Sequence, residues 1–137
     1  MDSLEEAQLS AIYRRYIDCL NRQDWPELGR FVGEGVVYNG RRVGLSGYRE
    51  GLERDYRAIP DLHFRIELLV CQPPLIASRL MFDCTPAGRF LGLDVDGRRV
   101  KFCENVIYEL EGDRIGTVWS VIDKAAIEAQ LAPASDG

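Results

Sequence analysis

The chain has 137 residues, of which 46% are hydrophobic and 28% charged, as in ordinary soluble proteins of one domain. Its formal net charge of −5 argues against nucleic acid and against anionic membrane surfaces as partners. The first ten residues are acidic without an apolar core, and no apolar run reaches the roughly 20 residues that span a bilayer. We therefore expect a cytoplasmic protein in which residues 1–131 form a single domain and residues 132–137 a flexible tail.

The first half of the chain has helical periodicity. Residues 4–22 are predicted to form a long helix, because apolar side chains recur there at helical spacing. A short helix is predicted at residues 25–32, a short strand at residues 35–39 and a third helix at residues 47–58.

The second half of the chain has the two-residue period of β-strands. Turn signals divide it into four predicted strands, at residues 62–71, 75–85, 98–111 and 114–122. Residues 123–132 then favour a terminal helix. Helices followed by strands with short turns indicate an α+β fold, in which a curved antiparallel sheet packs on the helices.

An acid continues the apolar face of the last predicted strand. The two-residue period places Ile115, Thr117, Trp119, Val121 and Asp123 on one side of that strand. If this side faces the interior, Asp123 is a buried acid with a raised pKa, as in a catalytic acid or base. The alternative is that Asp123 caps the following helix, its side chain accepting backbone N–H bonds.

A second acid, Glu104, continues the apolar alternation of the preceding strand. Glu104 either adds a polar group to the interior or forms a structural ion pair with an arginine such as Arg79. The apolar positions that share its face are Val100, Phe102, Val106, Tyr108 and Leu110.

Little in the sequence suggests a metal or a nucleotide cofactor. His63 is the only histidine, which excludes a two-histidine metal site and leaves His63 as the base of any His-dependent triad. There is no glycine-rich nucleotide-binding motif. We expect neither metal nor cofactor, and we expect carboxylates, tyrosines or arginines to carry any chemistry.

Four stretches of the chain match the motifs of one enzyme family in the right order. Residues 16–39 are similar to its opening, a helix, a short helix and a first strand. Residues 58–66, "AIPDLHFRI", are similar to F-P-D-L-x-x-x-I, and residues 90–102, "FLGLDVDGRRVKF", to F-x-G-I-P-P-T-G-R-x-V-x-F. Residues 112–131 are similar to G-x-I-x-x-x-W-x-x-x-D with a short helix that ends in Q-L. In these respects the chain resembles the SnoaL-like polyketide cyclases and ester cyclases, over about residues 10–131.

The resemblance implies a cone-shaped barrel of strongly bent antiparallel sheet around a deep apolar pocket, the architecture of the nuclear-transport-factor-2-like superfamily. In the characterised cyclases, the acid of W-x-x-x-D acts as general acid/base in an intramolecular aldol ring closure, without metal or cofactor. That acid corresponds to Asp123. The sequence departs from the family pattern at Pro86, where a histidine is frequent, and at residues 94–96, which replace a P-P-T turn.

The resulting hypothesis is a cofactor-free enzyme that transfers protons on a small apolar carbonyl compound, as a polyketide or ester cyclase or a related isomerase, dehydratase or hydrolase. Asp123 and Glu104 are the predicted catalytic residues. The expected pocket residues are Tyr13, Tyr16, Tyr38, Arg79, Phe102 and Trp119. The alternatives are a non-catalytic pocket for a small molecule and a plain oligomerising module. We also expect a homodimer or higher homo-oligomer through the outer face of the sheet, with Val118 and Ile122 as its apolar residues.

Overall fold

The computed structural model describes residues 5–133, and the predicted tail lies outside the described residues from residue 134 onward. All four helical segments predicted from the sequence are present. Across the described residues, no helix is both long and apolar enough to cross a membrane. The helices are α1 Glu6–Asn21, a 3₁₀ helix Trp25–Arg30, α2 Gly44–Ala58 and α3 Lys124–Leu131.

α1 packs one face against the sheet. Its side chains are buried at the spacing that the sequence predicts, which identifies the inner face of the helix. At its end, the Asn21 side chain donates to the carbonyl oxygen of Phe64 (2.9 Å) and accepts from the N–H of Phe64 (2.8 Å). This double hydrogen bond ties α1 to the segment that enters the sheet. The buried residues of the helix are Leu9, Tyr13, Tyr16, Ile17, Cys19 and Leu20.

The sheet has six strands in the order β2-β1-β8-β7-β4-β3, in which β1 and β8 are parallel and the other neighbours antiparallel. β5 and β6 form a separate hairpin. The long predicted strands are present, whereas the two-residue strands β2, β5 and β6 have no signal in the sequence. The bounds are β1 Val32–Tyr38, β2 Arg41–Arg42, β3 Arg65–Gln72, β4 Leu75–Cys84, β5 Arg89–Phe90, β6 Leu93–Asp94, β7 Val100–Glu111 and β8 Arg114–Ile122.

A β-bulge in β8 changes which side chains face inward. Ile115 pairs with Leu110 and Thr117 pairs with Glu109, so Gly116 is an extra residue without a partner. An extra residue shifts the alternation by one position. Val118 is therefore 1% exposed and Trp119 is 44% exposed. The prediction that Trp119 lies on the inner face is wrong.

The predicted α+β fold is confirmed, with α1 and α2 packed on a strongly curved sheet. β7 contributes its apolar alternation to the core, and these buried positions are Val100, Phe102, Val106, Tyr108 and Leu110. α3 lies beside the start of β7. There the Gln130 side chain accepts from the N–H of Lys101 (2.8 Å) and donates to its carbonyl oxygen (2.6 Å).

The outer face of the sheet carries an exposed apolar row. Val70, Ala77, Ile107 and Trp119 are successive cross-strand neighbours on β3, β4, β7 and β8, and we call them the outer row. Val70, Ile107 and Trp119 are each more than 40% exposed. The prediction of Val118 and Ile122 as outer residues is wrong, because the bulge turns both toward the interior.

Candidate active site

A cavity of about 370 Å³ lies between the sheet and the helices. α1, α2, β4, β7 and β8 form its walls, and the β5–β6 hairpin contributes Phe90 and Leu91. Buried apolar and aromatic side chains form most of the surface, so polar groups inside it are few and solvated poorly. Among the buried lining residues are Tyr16, Leu80, Phe82, Phe102, Tyr108 and Val118.

Glu104 is the acid in the inner part of this cavity. It lies on β7 between Leu80 of β4 and Ile122 of β8, and the Ser120 hydroxyl donates a short hydrogen bond to its Oε2. Burial raises the pKa of Glu104, the hydrogen bond from Ser120 opposes this shift, and the negative charge of Asp55 adds to it. Glu104 is therefore an acid whose proton is exchanged closer to neutral pH than that of an ordinary glutamate.

Two pairs of tyrosine hydroxyls lie in or directly behind the cavity wall. The hydroxyls of Tyr16 and Tyr48 lie 2.6 Å apart, and those of Tyr13 and Tyr108 lie 3.3 Å apart. Burial raises the pKa of all four phenols, to about 12 for Tyr13, and the charge of Glu104 contributes to each shift. The hydroxyls therefore keep their protons at neutral pH and remain hydrogen-bond donors.

Asp55 is a second cavity acid, which the sequence reasoning missed. Tyr48, Leu52, Asp55 and Ile59 follow one another at four, three and four residues, and all line the cavity. This stripe along α2 is the signal that could have identified Asp55. Asp55 and its neighbour Arg54 are exposed, which places them at the mouth. Loss of solvent on the protein side raises the pKa of Asp55 to about 6, although the charge of Arg54 opposes the shift.

Several predicted site residues lie in the cavity wall and others do not. Tyr16, Tyr38 and Phe102 line the cavity together with Glu104. Tyr13 lies behind the wall, where its ring packs on the lining residues Tyr16 and Tyr108 and its hydroxyl contacts that of Tyr108.

Arg79 and Trp119 lie on the outer face of the sheet, so the prediction that they line the pocket is wrong. Arg79 Nε lies 3.5 Å from Glu67 Oε1, and Arg79 also donates to Asn105 Oδ1 at 3.4 Å. Within residues 5–133, no ion pair joins an arginine to Glu104, which the sequence had suggested for Arg79. Trp119 is turned outward by the bulge at Gly116.

Asp123 caps α3 and lies outside the cavity lining. The N–H of Ala126 donates to Asp123 Oδ1 at 3.1 Å, and the carboxyl group is exposed. The capping alternative is confirmed, and the prediction of an inward position for Asp123 is wrong because of the bulge that also turns Trp119 outward. The catalytic role of Asp123 stays a prediction.

Neither a metal-binding cluster nor His63 or Pro86 adds to the site within residues 5–133. Among the described residues, no group of three or more His, Cys, Asp or Glu side chains is arranged to hold a metal ion. His63 is exposed, and Pro86 is buried outside the cavity lining. The site consists of two carboxyls and several phenols in an apolar cavity, which is suited to proton transfer on an apolar molecule.

Comparisons with known proteins agree with this architecture. A sequence model of the SnoaL-like polyketide cyclase family matches residues 10–131. No curated protein sequence matches the chain. A SnoaL-like polyketide cyclase from Agrobacterium tumefaciens, known from a crystal structure, has 51% sequence identity to this chain. The two structures superpose with a TM-score of 0.90 over 96% of this chain and 100% of that chain. TsrD from Streptomyces laurentii is 21% identical, with a TM-score of 0.82, over 94% of this chain and 98% of that chain, and shares the fold. The chain therefore belongs to the SnoaL-like polyketide cyclase family, within the nuclear-transport-factor-2-like superfamily.

Proposed function

We propose that this protein is an acid/base enzyme that transfers a proton on an apolar carbonyl compound, with Glu104 as the residue that moves the proton. Membership of the family supports a cyclase- or isomerase-type function in general. The observation that carries the proposal is the position of Glu104. Glu104 lines an apolar cavity, its pKa is raised by burial, and protonated tyrosines such as Tyr16 line the same cavity.

The proposed reaction is an aldol ring closure within one substrate. The Glu104 carboxylate removes a proton from the carbon next to a carbonyl group. The resulting enolate oxygen accepts one hydrogen bond from the Tyr16–Tyr48 pair, from the hydroxyl that does not donate to the other. The enolate carbon then forms a bond with the carbon of a second carbonyl, whose π bond breaks. The alkoxide that results takes the proton back from Glu104. In an isomerase, the same carboxyl would return the proton to a different carbon.

The first step can be tested without the natural substrate. The ketone 6-methoxy-2-tetralone is a small apolar bicyclic compound with acidic hydrogens next to its carbonyl. We expect the protein to accelerate exchange of these hydrogens in D₂O, followed by proton NMR. Glu104→Gln should lower the accelerated rate by roughly 100-fold or more, which is the usual contribution of a general base.

Asp123→Asn is the matched control, because it removes the other predicted catalytic acid and leaves a good helix cap. It should keep the exchange rate. Full exchange by Glu104→Gln would overturn the role of Glu104, and loss of exchange in Asp123→Asn would restore the role implied by the family. Binding of the ketone without accelerated exchange would favour the alternative, a non-catalytic small-molecule carrier.

We also propose that a second copy of the chain covers the outer row. Three residues of this row, Val70, Ile107 and Trp119, are large and exposed, and contiguous apolar patches commonly mark protein interfaces. Arg79 and Glu67 lie on the same face and neutralise each other at 3.5 Å. A two-fold axis through the row would pair it with itself, and neither copy would need a charged partner.

A further inference from the structure

Asp55 lies on the face of α2 that lines the cavity. The residues before and after it in the cavity-facing stripe, Leu52 and Ile59, are apolar, whereas Asp55 is charged and exposed at the cavity mouth. Helix capping does not explain its position, because Asp55 lies in the last turn of α2, where a negative charge opposes the helix dipole.

The Asp55 carboxylate has no side-chain partner among residues 5–133. Its pKa is shifted only by loss of solvent and by the charge of Arg54, and no hydrogen bond contributes. The hydrogen bond that Asp55 accepts from Ile59 N–H, at 2.8 Å, goes to the backbone carbonyl oxygen and does not involve the side-chain oxygens. An exposed carboxylate at the cavity mouth, with no protein donor, can accept a hydrogen bond from a ligand that enters the cavity.

The surface of α2 next to Asp55 is bare. Gly47 and Gly51 lie two turns and one turn before Asp55, and both line the cavity. A Cβ atom at Gly51 would meet no heavy atom within 4 Å. A Cβ atom at Gly47 would lie 3.2 Å from the Val43 Cβ atom, so the open space is at Gly51. There, one turn before Asp55, a ligand has room to reach the carboxylate.

From these contacts, and on the basis of the proposed function, we propose that Asp55 binds a hydroxyl group at the outer end of a ligand whose carbonyl end lies near Glu104. A neutral donor is favoured over a cation, because the positive charge of Arg54 lies beside Asp55 at the mouth. The aromatic side chains of Phe82, Phe102 and Tyr108 in the same cavity favour a ring as the group that carries the hydroxyl. The ligand class is thus an apolar cyclic molecule with a carbonyl at one end and a hydroxyl at the other.

Two ketones that differ at one end test this assignment. Dissociation constants of 6-hydroxy-2-tetralone and 6-methoxy-2-tetralone are measured by calorimetry for the full chain. The protein should bind the hydroxy compound about tenfold more tightly, because the methoxy group cannot donate to the carboxylate. Asp55→Leu should bring this ratio close to one, and the isosteric Asp55→Asn should give an intermediate ratio.

Glu53→Leu is the control, since it removes the same charge from α2 at a side chain that pairs with Arg49 outside the cavity. It should keep the preference for the hydroxy compound. The proposal is overturned if the unmodified protein binds both ketones equally or binds neither. It is also overturned if Asp55→Leu keeps the preference.

A different measurement, hydrogen exchange, would contradict the proposed function. Hydrogen exchange on the methoxy ketone depends on Glu104 and does not need the hydroxyl group. If exchange survives Glu104→Gln, Glu104 has no catalytic role, and the ratio of the dissociation constants of the two ketones still tests the Asp55 site. A lost ratio with intact exchange would remove the Asp55 site alone.

Discussion

Replacing Glu104 by glutamine should stabilise the fold while it removes proton transfer. The carboxyl group lies between Leu80 and Ile122 and receives one hydrogen bond, from Ser120. Glutamine has nearly the same volume and keeps an oxygen that can accept this bond. The substitution therefore changes mainly the charge that is buried.

Two effects of opposite sign set the size of the change. Removing a poorly solvated carboxylate should recover about 2–3 kcal/mol, the desolvation cost of a buried polar group of this kind. The new amide NH₂ enters an apolar surrounding without an assigned acceptor and costs about 1 kcal/mol. We expect the free energy of unfolding of Glu104→Gln to exceed that of the original protein by about 1–2 kcal/mol at pH 7.5.

The raised pKa of Glu104 determines how the stability difference between the two proteins changes with pH. The pKa of Glu104 is higher in the folded state than its ordinary value of 4.5, so the folded state holds the proton more tightly. The stability due to this proton is fully present below pH 4.5 and is lost as the pH rises through the folded-state pKa. The cost of the amide does not depend on pH, so Glu104→Gln should be about 1 kcal/mol less stable than the original protein at pH 4, and its advantage should appear as the pH rises through the folded-state pKa.

Urea denaturation of both proteins at several pH values between 4 and 8 measures the difference. Contributions of other titrating groups largely cancel, because the two chains differ at one position. A variant that is less stable than the original at pH 7.5, with a deficit that shrinks toward pH 4, would refute the reasoning. That result would mean that the protein stabilises the charge of Glu104, and a raised pKa would then be excluded.

Two further substitutions test Asp123 and the outer row. Asp123→Ala should lower the free energy of unfolding by about 1 kcal/mol, because it removes the hydrogen bond from Ala126 N–H. Asp123→Asn should lower it very little, because asparagine also caps helices well. Equal stability of all three proteins in urea would contradict the capping role. The protein should have the mass of a dimer in light scattering at micromolar concentration, and Trp119→Ser together with Ile107→Ser should give a monomer by removing apolar area from the outer row. A monomer mass for the unmodified protein, or a dimer that survives the double substitution, would contradict the self-association.

The elements that alternate without interruption could be predicted from the sequence. α1 keeps an apolar stripe for several turns, and five residues of that stripe are buried: Leu9, Tyr13, Tyr16, Ile17 and Leu20. Ile12 of the stripe is only half-buried, and the buried Cys19 lies outside the stripe. β7 pairs with β4 without a register shift, so its two-residue period correctly places Glu104 on the same face as Phe102. Regular periods carry this information because the backbone geometry repeats without change.

Other features depend on contacts that a single segment does not contain. The bulge at Gly116 exists only in the pairing of β8 with β7, so the period of β8 alone gave the wrong face for Trp119 and Asp123. The position of Arg79 could not be assigned, because one alternating strand does not show which of its faces is outer. Asp55 was missed because an acid in a helical stripe is ordinarily assigned to solvent, and only the packed sheet shows what that stripe faces.

The bulge also bears on how the length of this strand can vary among related chains. Gly116 has no partner in the ladder, while Ile115 and Thr117 keep theirs on either side of it. Deletion of that one codon would leave both halves of β8 in their present pairing and would keep Val118 and Ser120 on the cavity side. An alignment gap at this position would therefore keep the inner side chains of β8 in their pairing with β7. A gap between residues 117 and 122 would exchange the inner and outer side chains on one side of the gap.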